Sequence, residues 1–175
     1  MQTLTDLPVN TLPTVDMSDI PTGCCPRFDP DTWRDTALHF DNMPFVHVST
    51  LSFMHLPLNM SSTFSATFEA IRSAHARARG YLVLTHHRSA WHDDHLFAVD
   101  RPVEGADMTY VSGTFHTRIF EGPYGDVPRW HDQLISEMTA AGRSVQDVYW
   151  FYTTCPKCAK AYGANFVVGL AQVEP

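Results

Sequence analysis

The order of strand-like and helix-like patterns along this chain occurs twice, and that order limits the folds the chain can adopt. The first copy begins with a β-branched and aromatic run at residues 45–56. An amphipathic helix pattern follows at residues 62–79, where apolar side chains recur at helical spacing and Gly80 ends the pattern. Two further strand-like runs, YLVLTHH and HLFAVDRPV, complete a β-α-β-β unit.

The second copy repeats this order. The strand-like run MTYVSGTFHTRIFEG precedes a helix pattern with an apolar stripe of Trp130, Leu134 and Met138, and VQDVYWFYTT and ANFVVGLAQV follow it. Two β-α-β-β halves, at about residues 45–104 and 106–174, predict an α+β domain over residues 45–175. We expect two helices packed on one face of a mostly antiparallel sheet.

Composition narrows the class of protein. The chain has 175 residues, 44% of them hydrophobic, and a net charge of −7, so one core is expected under an acidic surface that repels phosphate backbones. No nucleic-acid partner is therefore expected.

The sequence also bears on membranes and location. No apolar run is long enough to span a bilayer, so no membrane partner is expected. The first residues lack the basic start and the apolar run of a signal peptide, so we expect a cytoplasmic location. The oligomeric state is left open.

Residues 1–44 are expected to form an extended N-terminal arm. Pro8, Pro13 and Pro21 interrupt regular structure there. The arm also carries two adjacent cysteines, Cys24 and Cys25. In a reducing compartment, such thiols stay free unless they are catalytic or bind a metal.

A Cys-x-x-Cys motif, Cys155 and Cys158, lies between the last two strand-like runs. It has three interpretations: half of a metal site, a redox pair, or two buried thiols in a hairpin. Too few residues separate Cys158 from Gly163 for a supporting helix of normal length, which a redox pair would need. We expect the arm to fold back and bring Cys24 or Cys25 close to this pair. Zinc is the candidate cofactor, ahead of iron, because four thiolates hold it without redox chemistry.

The segment VSGTFHTRIFEGPYGDVPRWHDQLISEMTAAG resembles the second half of the GyrI-like small-molecule-binding family, which shares its fold with the SOUL haem-binding proteins. The local motif is Gly122, Pro123 and Tyr124, and the resemblance in pattern covers residues 45–174. The CCPRF and TTCPKCAK segments are similar to a bacterial and archaeal branch whose members are sometimes labelled hydrolase. The resemblance implies a stand-alone domain that binds a small, partly aromatic or cationic ligand in a cleft between the two halves.

The side chains expected to line this cleft are aromatic or acidic. The strand at residues 148–154 is aromatic on both faces, so it is either buried on both faces or lines a pocket. Glu121 lies among apolar residues, where partial desolvation would suit a cationic ligand or general-base chemistry. The expected ligand-binding residues are Glu121, Tyr124, Trp150, Tyr152 and His55.

An enzyme that uses the same pocket is the alternative. The sequence shows no Ser-His-Asp order, phosphate-binding loop or dinucleotide fingerprint. The catalytic candidates for a small-molecule hydrolase or a thiol-dependent detoxifying enzyme are therefore Glu121 and Cys155. Glu121 would act as a base that activates water, and Cys155 as a nucleophile.

The segment HHRSAWHDDH carries four histidines and two aspartates. Imidazoles at this density can bind transition metals. Segments of this composition are more often solvated, so we expect a polar loop between two strands here.

Overall fold

The computed structural model describes residues 7–53 and 56–175 and has an α+β architecture. Its strands are β1 (Ala37–Phe53), β2 (Leu56–Pro57), β3 (Val83–His87), β4 (His92–Ala98), β5 (Met108–Glu121), β6 (Val145–Tyr152) and β7 (Phe166–Val173). Its helices are α1 (Met60–Ser73), α2 (Val127–Ala140) and α3 (Pro156–Tyr162), and short 3-10 turns lie at Pro30–Thr32 and Tyr124–Asp126. None of the helices within these ranges is long and apolar enough to cross a membrane.

Six antiparallel strands close into a barrel. Their order is β1-β4-β3-β6-β7-β5, and β5 returns to pair with β1. Closure is possible because β1 is long: its later residues pair with β4, while residues 37–46 pair with β5. The α+β class and the antiparallel sheet are confirmed. Closure was not predicted, and the GyrI-like duplicated fold is not confirmed.

Apolar side chains fill the inside of the barrel, and those that the N-terminal arm adds include Phe28 and Trp33. Trp33, which is 1% exposed, contacts Phe151 with ring centroids 5.4 Å apart. Phe28 contacts Phe166 with ring centroids 5.6 Å apart. Phe151 lies near the end of β6 and Phe166 at the start of β7, so the two arm residues cover one end of the barrel.

The outer surface of the barrel carries α1 and α2. The apolar stripe of α2, from Val127 to Met138, packs on β6 and β7, and Ile71 of α1 packs with Val46 and Phe97. Both helices therefore cover the same face of the sheet, and this face is the outside of the barrel.

Three predicted boundaries move in the structure. β1 begins at Ala37, inside the predicted arm, because residues 37–44 pair with β5 across a bulge between Phe40 and Met43. The first predicted helix ends at Ser73, and His75 takes a left-handed φ of 51° just beyond it. The connection that holds Cys155 and Cys158 was predicted as a hairpin loop between two strands, but it contains the short helix α3.

Candidate metal centre

Helix α3 sets the positions of Cys155 and Cys158. Cys155 is the N-cap residue and Pro156 opens the helix, where its missing N–H needs no partner. Cys158 follows one turn later and is fully buried. Gly163 ends the helix in the left-handed conformation, with φ of 73°, so the chain turns directly into β7. The two-residue spacing therefore holds both sulfurs on the same side of a short helix.

A tight turn in the arm brings the other two sulfurs to the same place. Gly23 has a φ of 70°, and its N–H donates to the carbonyl of Ile20 at 2.9 Å. The turn allows Cys24 and Cys25 to converge although they are adjacent in sequence: their Sγ atoms lie 3.7 Å apart. The arm therefore offers two ligands to one point.

Hydrogen bonds fasten this turn to α3. The Oγ1 atom of Thr22 lies 3.1 Å from the Sγ atom of Cys158 and 3.0 Å from the hydroxyl of Tyr162. The same Tyr162 hydroxyl donates to the backbone carbonyl of Cys25 at 2.6 Å. The sequence predicted the approach of the cysteines but neither Thr22 nor Tyr162, because no spacing rule links residues so far apart in the chain.

The four sulfurs are spaced as ligands of one tetrahedral ion. All four Sγ atoms lie within 4.8 Å of one another. The Sγ atoms of Cys24 and Cys155 are 3.9 Å apart. A tetrahedral ion with metal–sulfur bonds of about 2.3 Å requires sulfurs about 3.8 Å apart, whereas a disulfide requires about 2.05 Å. All four cysteines are free thiols in the structure.

The four sulfurs of the cluster differ in how readily they ionise. Burial and the nearby thiol of Cys155 raise the pKa of Cys24, and burial raises the pKa of Cys25. Burial opposes ionisation of Cys158 as well, but hydrogen bonds from Thr22, Cys155 and the Cys25 backbone outweigh it and lower the pKa of Cys158 to about 7. Without an ion the two arm sulfurs therefore stay protonated, and a divalent cation bound at the centre would displace their protons.

The surroundings of the sulfurs resemble those of metal-bound thiolates. The backbone N–H of Cys155 donates to the Sγ atom of Cys25 at 3.4 Å. Amide–sulfur hydrogen bonds of this kind orient thiolate ligands. The guanidinium carbon of Arg27 lies 4.8 Å from the ring centroid of Tyr162, whose hydroxyl donates to the Cys25 carbonyl.

The predicted ligand cleft does not form around Trp150. Because the barrel closes, Tyr149 and Phe151 point into its interior, and the opposite face of β6 is covered by α2. Trp150 lies on that covered face and is 2% exposed. The strand is buried on both faces, which was the other interpretation of its pattern, and the assignment of Trp150 to a ligand pocket stays a prediction.

The other predicted pocket residues are dispersed. Glu121 is exposed at the end of β5, so the desolvation that would have made it a base is absent. Tyr124 and Tyr152 do meet, with ring centroids 5.8 Å apart, and Tyr124 donates to the carbonyl of Thr154 at 2.7 Å. His55 lies outside the described residues.

Two cavities lie elsewhere on the surface. The larger, of about 590 Å³, lies between the end of α2 and the start of β6 and is lined by residues such as His131 and Asp147. The smaller, of about 300 Å³, lies between the arm and the barrel and is lined by residues such as Asp16 and Tyr81. Neither is lined by Glu121, Tyr124, Trp150 or Tyr152, so these cavities give the predicted cleft no support.

Comparison with known proteins identifies a matching family. A family model described as bacterial hydrolase matches residues 15–173, which include all four cysteines and the whole barrel. No curated protein matches the chain. The match agrees with the hydrolase label of the bacterial and archaeal branch that the CCPRF and TTCPKCAK segments resemble. It gives no support to membership of the GyrI-like family.

Proposed function

We propose that this chain, which belongs to the bacterial hydrolase family, binds one zinc ion through the thiolates of Cys24, Cys25, Cys155 and Cys158. The observation that carries the proposal is the convergence of four sulfurs from two segments about 130 residues apart, all within 4.8 Å of one another. Bringing such distant segments together costs conformational entropy, and weak thiol contacts alone do not offset it. A metal–thiolate centre does.

The ion proposed here has a structural role. Structural zinc sites are closed by four protein ligands, whereas catalytic sites keep a position open for water or substrate. Four cysteines fill a tetrahedral ion completely, so no position remains for a substrate. The ion joins α3 to the arm just ahead of Phe28 and Trp33, the two residues that cover the end of the barrel. It therefore fixes this cover in place.

Elemental analysis of protein purified without chelators or metal-affinity resins tests the proposal. We expect about one zinc per chain in the wild type and none in the double variant Cys155→Ser, Cys158→Ser. The matched control is Lys157→Ala, Lys160→Ala, which alters the same helix at exposed positions and leaves every sulfur in place. This control is expected to retain zinc.

Two results would contradict the zinc assignment. Wild-type protein with no stoichiometric metal shows that the sulfurs converge without an ion. Zinc that persists in the double cysteine variant shows that the ion is bound elsewhere. Stoichiometric iron in place of zinc keeps the four-thiolate centre but overturns the identity of the metal.

A further inference from the structure

The histidine-rich segment is not the solvated loop that its composition predicts. Most of it belongs to the β3–β4 hairpin, in which His87 and Asp93 are directly opposed. Asp93 is only 5% exposed. A buried carboxylate requires partners, and those partners define an arrangement that the metal centre does not use.

Asp93 fixes the orientation of His87. One carboxylate oxygen lies 2.7 Å from the Nδ1 atom of His87, and the other accepts a hydrogen bond from the Ser52 hydroxyl at 2.8 Å. Burial would raise the pKa of Asp93, but the hydrogen bonds from His87 and Ser52 outweigh it and the pKa is lowered. The carboxylate is therefore ionised at neutral pH. It holds the proton of a neutral imidazole on Nδ1 and leaves Nε2 as an acceptor.

Tyr152 completes the arrangement. Its hydroxyl lies 2.7 Å from the Nε2 atom of His87, so the phenol donates to the imidazole and the imidazole donates to Asp93. Burial and the charge of Asp93 raise the pKa of Tyr152, which keeps the phenol protonated until a base takes its proton. A hydroxyl, an imidazole and a carboxylate in this order form the proton-transfer chain of nucleophilic hydrolases.

His95, on the same hairpin, is an imidazole with a structural role and serves as a comparison for His87. His95 is 0% exposed, and both of its ring nitrogens are occupied, by the hydroxyls of Thr50 and Thr85 at 2.8 and 2.9 Å. His87 differs, because its side chain is 32% exposed and its acceptor nitrogen meets an ionisable hydroxyl. A small molecule from solvent therefore has access to His87 and none to His95.

We propose that Tyr152, His87 and Asp93 form a reaction site that hydrolyses small, uncharged carboxylic esters by acyl transfer to the Tyr152 oxygen. The ionised Asp93 and the chain's net charge of −7 disfavour anionic substrates. Tyr152 and His87 are the catalytic residues, and Asp93 is a positioning residue. The proposal stands independently of the zinc centre, since none of these side chains belongs to it.

The chemistry balances in two steps. In the first, Nε2 of His87 takes the phenolic proton while the Tyr152 oxygen bonds to the ester carbonyl carbon. The carbon–alkoxide bond then breaks, and the alcohol leaves with the proton from Nε2. In the second, a water molecule gives its proton to Nε2 and attacks the acyl–tyrosine carbonyl. The carboxylic acid is released, and the phenol regains its proton. An aryl ester is more readily hydrolysed than an alkyl ester, which favours turnover.

Exposure of the protein to p-nitrophenyl acetate, followed by acid quenching and peptide mapping, tests the site. We expect an acetyl group on Tyr152, and at least tenfold slower release of p-nitrophenolate from Tyr152→Phe and from His87→Gln. Tyr110→Phe is the matched control, because Tyr110 is an exposed tyrosine on β5, and it is expected to match the wild type. Thermal unfolding of each variant separates loss of activity from loss of fold.

Peptide mapping also separates this site from the thiols. Acetyl groups found on cysteines alone, or equal rates for the wild type and Tyr152→Phe, overturn the proposal. Nitrogen-15 NMR of His87 tests Asp93 directly: the wild type should show the proton on Nδ1, and Asp93→Asn should lose that preference and slow acylation. An unchanged tautomer in a slowed Asp93→Asn variant contradicts the positioning role.

Discussion

Removal of the metal is expected to expose the bond after Arg27 to trypsin while the barrel stays folded. In the structure, Arg27 is held by an ion pair with Asp19 at 3.2 Å and by stacking on Tyr162, immediately beside the cysteine cluster. These surface contacts are weak by themselves. Without the ion, Phe28 and Trp33 stay packed against the barrel, but the metal–thiolate bonds that join the arm to α3 are lost. The segment around Arg27 then unfolds locally often enough for trypsin to cut it.

The loss of stability should be large as well. A metal that binds the folded chain and not the unfolded one stabilises the fold by RT ln(1 + [M]/Kd), which is about 4 kcal/mol when free metal is a thousandfold above Kd. We therefore expect chelation to lower the free energy of unfolding by several kcal/mol. Denaturant unfolding measures this change, and added zinc should restore both stability and protease resistance.

The control for this experiment is the double variant Cys155→Ser, Cys158→Ser. It should be cut after Arg27 whether or not a chelator is present. Equal trypsin resistance of the metal-free and metal-loaded wild type would contradict the structural role of the ion, because the arm would then be held by its apolar contacts alone.

Acidification is expected to cost about 3 kcal/mol of stability through His95. Burial lowers the pKa of this imidazole from 6.5 to about 4, because the protonated ring would lose its hydration between Phe64 and two threonine hydroxyls. The folded state therefore holds His95 neutral. Its contribution is fully present above pH 6.5, falls as the pH drops from 6.5 to 4, and is lost below that range.

His95→Gln isolates this effect from other acid-sensitive groups. A glutamine can still bond Thr50 and Thr85 but does not titrate. Protonation of the thiolates also releases metal at low pH, but it does so in both proteins. The difference in unfolding free energy between wild type and variant should therefore shrink by about 3 kcal/mol between pH 7 and pH 4. A difference that is independent of pH would show that His95 does not control acid stability.

Local patterns predicted the elements that local contacts form. The stripe of Trp130, Leu134 and Met138 did form a helix, because all three side chains are buried against the barrel. Asp126 occupies the N-cap position of that helix, although its side chain makes no capping hydrogen bond there and instead pairs with Arg129.

Features that depend on distant pairing were not predictable in this way. The start of β1 was assigned to the arm because the local sequence of residues 37–44 does not predict a strand. These residues form one by pairing with β5, which is distant in the chain. Closure of the barrel also decides which face of β6 points inwards, and it places Trp150 on the face that α2 covers. Alternation along a strand shows that two faces exist but not which one is covered.

The cysteine cluster joins distant segments, yet the sequence predicted part of it. Matching chemistry in two segments predicted that the arm would approach Cys155 and Cys158, and the structure brings all four sulfurs together. The relay of Tyr152, His87 and Asp93 had no such signal. Its members come from three strands, and the composition of the histidine-rich segment indicated only a polar loop.

X-ray absorption at the zinc edge of the purified protein tests the four-thiolate centre most directly. We expect a first shell of four sulfur atoms at about 2.3 Å and no nitrogen or oxygen ligand. A shell with two or three sulfurs and lighter ligands would contradict a closed centre and would show that one or both arm cysteines stay off the metal.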